Sequence, residues 1–159
     1  MSHIKRFTAF AAIGVALLVT LTACGSITSL AKKITGQSET LNSLTSTNGS
    51  DGAILAVKID DTEPAHPQIG LASADVIYIE QVEGGLTRLA TIFSNPSNLP
   101  DLIGPVRSAR ISDMDILAQY GRVAFAFSGA QTKLYPVIDS ANLENLGAEK
   151  EPETIYSRD

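Results

Sequence analysis

Arg107 and Arg110 stand three residues apart in the run Gly104-Pro-Val-Arg-Ser-Ala-Arg110, at the start of a predicted helix. At that spacing they lie on one side of the helix. Backbone N–H groups at a helix start point the same way, so the pair, with Ser108 between them, makes a candidate seat for a carboxylate or phosphate. A second cluster, Glu80-Gln-Val-Glu83-Gly-Gly-Leu-Thr-Arg88, sets two carboxylates and a guanidinium around a Gly-Gly turn. Glu80 or Glu83 as general acid, with an aspartate such as Asp60 as base, would suit glycan hydrolysis, which needs carboxyl groups about 5–9.5 Å apart. The plainer alternatives are structural: Glu80 and Glu83 pairing with Arg88 across the hairpin, and Arg107 and Arg110 pairing with Asp113 and Asp115 or tying the loop to the sheet. A third stretch, Asp60 to Gly70, carries Asp60, Asp61 and Glu63, which read as solvated, and His66, for which a structural role is expected over a functional one.

Strong enzyme signatures are missing. The sequence has no Gly-rich phosphate loop, no Gly-x-Ser-x-Gly elbow and no His-x-x-x-His pair. Cys24 is the only cysteine and lies at the end of an N-terminal leader, as does His3 at its start, so the folded part has no thiolate nucleophile or zinc–thiolate site. No cofactor or metal is expected, and the balance leans away from an enzyme.

The leader has its own chemistry. Lys5 and Arg6 form a basic flank, and Phe7 to Ala23 runs without a charge, the layout of a secretory signal peptide. Leu21-Thr-Ala-Cys24 resembles a bacterial lipobox, which implies that the Cys24 sulfur receives a diacylglyceryl group and that cleavage after Ala23 leaves Cys24 first. Acyl chains of the palmitate kind contribute about 0.8 kcal/mol per buried methylene, and two chains anchor stably where one does not. The alternative is a membrane span, for which 17 residues lie near the lower limit of about 17–25. The expected location is the extracytoplasmic face of a cell membrane, with residues 1–23 as signal peptide.

The formal charge of −5 becomes −7 once Lys5 and Arg6 are removed, and no basic run exceeds Lys32-Lys33. Nucleic acid, whose binding needs a positive footprint, is not an expected partner. From residue 25 to 52, 17 residues are Ser, Thr, Asn or Gly, so residues 24–52 read as a lipidated cysteine and a flexible tether. The folded domain is expected over residues 53–159.

Its elements follow from pattern. Ile54 to Ile59 and Asp75 to Val82 read as strands, Gly84-Gly85 as a hairpin turn, and Leu86 to Phe93 as the returning strand. Asn95 to Pro105 is a loop. Ser108 to Tyr120 predicts a helix with Ile111, Met114, Leu117 and Ala118 on one face and Asp113 and Asp115 complementing its dipole. Val123 to Phe127 predicts a strand covered on both faces. A second helix runs from Ala130 to Asp139, interrupted by Pro136, and Thr154 to Tyr156 starts a last strand. The class is α+β (mixed α/β), helices packed on a sheet. With so little chain after Thr154, the domain is expected to be incomplete at its C-terminus.

Several of these blocks, in this order, resemble the YerB-like bacterial lipoproteins. They are Ala56-Val-Lys-Ile-Asp60, Ala65 to Asp75, Val76-Ile-Tyr-Ile-Glu80, Val82 to Arg88, Ile103 to Arg110, Phe127-Ser-Gly-Ala-Gln131 and Ile155 to Asp159. The resemblance implies an N-terminal domain of a lipoprotein with a further C-terminal domain and an unsettled biochemical function. The leading expectation is an envelope binding module, with peptidoglycan or wall-assembly proteins as partners and wall-peptide carboxylates meeting Arg107 and Arg110. A glycan hydrolase comes second and a solute-binding lipoprotein third.

Overall fold

The computed structural model describes residues 40–150 and 156–157. The expected signal peptide, Cys24 and residues 25–39 lie outside these, as do Thr154, Ile155 and the Arg158-Asp159 end. Five strands form one sheet: β1 (Ile54–Asp60), β2 (Val76–Gln81), β3 (Thr87–Phe93), β4 (Val123–Phe127) and β5 (Leu143–Gly147). Among the described residues two α-helices accompany it, α1 (Ile111–Ala118) and α2 (Tyr135–Ser140). The strand order is β2-β3-β1-β4-β5. β3 runs antiparallel to β1 and β2, while β4 is parallel to both β1 and β5. The expected α+β class is thus observed.

Period-two alternation sorts the side chains into two cores. Ala56, Ile92, Val123, Phe125 and Phe127 face the helices, where Leu117, Leu134 and Ile138 complete the packing. Val57, Ile59, Leu89, Phe93 and Ala126 face the other way, under Leu71, Ala74, Ile103, Val106 and Tyr156 from loops. A cleft of about 590 Å³ opens on that loop-covered face, beside Leu55, Pro100 and Tyr156. Both glycines of the β2–β3 turn have φ of +74°, a conformation that side-chain-bearing residues resist. The hairpin signal therefore rested on the right residues.

Three expectations are corrected. The tether does not run to residue 52. Asn42 is buried, its amide donates to the Ser94 carbonyl at 3.2 Å, and its Oδ1 accepts from the Leu44 and Thr45 N–H groups. A polar stretch orders here because one asparagine satisfies its local backbone and docks it on the domain. Pro136 does not interrupt a helix but lies in the first turn of α2, where its missing N–H costs nothing. A strand that the pattern did not predict, Leu143–Gly147, pairs with β4, while the expected strand start at Thr154 and Ile155 lies outside the described residues. Finally, α1 turns Asp113 and Leu117 inward and leaves Ile111 exposed.

Candidate functional site

The hydrogen-bonded register of β1 with β4 ends at Val57↔Ala126, and past it the two strands diverge. Pro105 to Ala109 fills the gap as an extended segment. Asp60 N–H donates to the Pro105 carbonyl at 2.9 Å and Arg107 N–H to the Lys58 carbonyl at 2.8 Å. On the β4 side, Ser128 N–H donates to the Arg107 carbonyl at 3.0 Å and Ala109 N–H to the Gly129 carbonyl at 2.8 Å. The segment can lie here because Pro105, which has no N–H, needs only to accept. Val106 packs into the loop-side core and Ala109 into the helix-side core. The predicted helix therefore starts at Ile111, and Arg107 and Ser108 precede it in extended backbone.

This insertion gathers the arginines. β1, β3 and β2 place Asp60, Arg88 and Glu80 in one cross-strand row. Arg107 Nε donates to Asp60 Oδ2 at 2.8 Å. Arg110 bridges Glu83 at 2.8 Å, and the Gln131 amide reaches the same glutamate at 3.3 Å. Arg88 donates to the Ser108 carbonyl at 2.8 Å and makes no carboxylate salt bridge among the described residues. Burial, then the Arg110 and Arg107 guanidiniums, hold its pKa below the ordinary arginine value. Three guanidiniums, two of them paired with Asp60 and Glu83, thus gather at the carboxyl ends of β1, β2 and β4. A recess of about 300 Å³ opens beside Arg110, with Lys133 at its rim and Leu134 and Val137 in its wall.

Burial raises the Asp60 pKa, but the Thr62 N–H and Arg107 outweigh it and hold the carboxyl below its ordinary 3.8. A depressed folded value means that the stabilisation is complete above the unfolded value and fades as pH falls through the folded one. Asp60→Asn should therefore cost about 1.5–3 kcal/mol at pH 7, the worth of hydrogen bonds to a charged group. The difference from the parent should shrink steadily below pH 3.8, as urea unfolding at several pH values would show. A penalty independent of pH would mean that the charge is not what matters.

Beneath the arginines lies a buried polar cluster that pattern reading passed over. Lys58 is 0% exposed on the helix-facing side of β1, contacts Glu80, and lies 2.7 Å from Asp113 Oδ1. The Ser112 hydroxyl donates to the other Glu80 oxygen. Arg110 N–H donates to Asp113 Oδ2 at 2.6 Å, capping α1. Burial raises Glu80, yet Lys58 and Ser112 outweigh it and hold this carboxyl below its usual range. Burial pushes Asp113 up to about 6 against the pull of Lys58. The missed signal was a lysine on the inward phase of an apolar strand. Of the predicted site residues, Arg88, Arg107, Ser108, Arg110 and Glu83 come together at the surface, while Glu80 sits in the cluster below. His66 is half exposed, near Asp61 and Gln68, in the loop after β1.

Residues 35–159 match the family described as "Protein of unknown function (DUF3048) N-terminal domain". "Putative lipoprotein YerB" of Bacillus subtilis (strain 168) is 43% identical over 56 residues, which is 35% of this chain and 16% of that protein. The crystal structure of YerB from Bacillus subtilis superposes with a TM-score of 0.67 at 24% identity, covering 74% of this chain and 41% of that one. The two share the fold. The chain spans less than half the length of either relative.

Proposed function

The chain belongs to the DUF3048 family through its N-terminal domain, and from that premise we propose that it is a lipid-anchored envelope protein whose domain binds wall-derived carboxylates at Arg88, Arg107 and Arg110. The supporting observation is the gathering of three guanidiniums at one end of the sheet, with Arg88 turned to a carbonyl instead of an acid. Ligands of open sheets gather at the carboxyl ends of the strands. A free carboxylate there would take a two-pronged hydrogen bond from arginine, and the recess beside Arg110 would take an adjoining apolar group. Cys24, at the end of an apolar leader, supplies the lipid attachment in this reading, and the lipoprotein name of the relative agrees with it. The face is extracytoplasmic, next to peptidoglycan and wall-assembly proteins.

Calorimetry with muropeptides tests the ligand. Arg107→Ala and Arg110→Ala should each weaken binding by about tenfold or more, since a hydrogen bond to a charged group is worth about 1.5–3 kcal/mol. Unchanged affinity in both variants would end this reading. The hydrolase reading gains less, because Glu80 and Glu83 are both held as carboxylates, Glu83 by its own N–H and then by Arg110. A general acid needs its proton near neutral pH.

A further inference from the structure

The buried cluster is a different matter from the arginines. We propose that Lys58 and Asp113 become covalently joined, the side-chain amine forming an amide with the side-chain carboxyl inside the folded domain, with Glu80 as proton carrier. Both reacting side chains are 0% exposed, and the lysine nitrogen lies 2.7 Å from Asp113 Oδ1. Groups held in such contact react as if at very high concentration. Glu80 contacts the same Lys58 nitrogen that Asp113 meets and is oriented by the Ser112 hydroxyl.

The step needs no reagent beyond these residues. Transfer of a proton from the Lys58 ammonium to the Asp113 carboxylate, relayed by Glu80, leaves an amine and a carboxylic acid. Burial disfavours charged forms, and the raised Asp113 value agrees with the acid form being within reach near neutral pH. The amine nitrogen attacks Asp113 Cγ, forming the C–N bond, while the C=O electron pair moves onto Oδ2. The Arg110 N–H, 2.6 Å away, holds that developing oxyanion. Glu80 takes the surplus proton from nitrogen and passes it to the Oδ1 hydroxyl, which leaves as water when the C–O bond breaks. Collapse of the oxyanion restores C=O. Glu80 ends ionised as it began, and the products are one amide and one water.

Tryptic mapping of the full chain, purified without denaturation, tests this. A joined chain resists cleavage at Lys58, so residues 34–88 should appear linked to Ile111–Arg122, one water lighter than the two together. Asp113→Ala should give three separate peptides, residues 34–58, 59–88 and 111–122, with cleavage restored at Lys58, and Glu80→Gln should abolish or greatly slow the joining. Where either variant fails to fold, the parent map decides alone. A parent map with only separate peptides overturns the proposal. So does a water lost without a joined peptide, as aspartyl cyclisation at Asp51-Gly52 would give. Joining at an undiminished rate in Glu80→Gln overturns the proton-carrier role.

Discussion

Methionine in place of Lys58 should destabilise the domain by about 3–5 kcal/mol, the cost of removing one partner from a buried ion pair. Methionine keeps the length and the apolar stem, so little of that loss comes from a cavity. What disappears is the donor that Glu80 and Asp113 share. Two carboxyl groups then face each other in a dry site, and one of them must stay protonated. The variant should therefore weaken further as pH rises through the carboxylate range, where that proton is lost. Any Lys58–Asp113 bond is also lost, which adds to the deficit. The urea midpoint of the variant against the parent measures the effect. Changing Glu80 to glutamine and Asp113 to leucine in the same chain should recover much of it, because the cost lies in the abandoned carboxylates. A single variant within about 1 kcal/mol of the parent would show that water reaches the cluster, since only exposed pairs are worth so little.

Phe125→Ala should cost about 3–5 kcal/mol, the range for emptying a buried aromatic site. Phe125 is fully buried at the centre of β4, between the sheet and the two helices, with its ring centroid 5.0 Å from that of Phe127. Because β4 lies in the interior of the sheet, its neighbours are held by β1 and β5 and collapse little into the void. Phe125→Leu should cost clearly less, since it leaves a smaller cavity. Thermal and urea unfolding of both variants would check the order. Equal losses would mean that shape at this site matters more than volume.

Much of the fold was legible because its strands carry strong local signals. β1 and β4 are short apolar runs, and β2 and β3 flank a Gly-Gly turn that only glycine forms easily. The family resemblance, carried by blocks such as Gly104 to Arg110, is borne out by the match over residues 35–159. β5 escaped notice because Leu143-Glu-Asn-Leu-Gly147 holds only two apolar side chains, and its place is set by pairing with β4 rather than by its own propensity. The start of α1 was placed too early because Arg107 and Ser108 are equally compatible with helix and extended chain. Their conformation is decided by the gap between β1 and β4, a long-range fact. The arginine cluster was half visible: Arg107 and Arg110 by spacing, Arg88 by its turn. Lys58 and Asp113 lie 55 positions apart in sequence. Only the docking of α1 on β1 makes them neighbours.

The parallel run of β1, β4 and β5 has a mechanical consequence. Tension applied along the chain enters the sheet where β1 begins, at Ile54, and leaves where β5 ends, at Gly147, and these points lie at opposite ends of the strand direction. A pull between them slides β1 past β4 and β4 past β5, so the ladder bonds from Ile54↔Val123 to Val57↔Ala126 bear the load together in shear. They are not peeled open one after another, as in a hairpin pulled from its open end. A load carried along the chain between these two points meets the sheet in its force-resistant direction.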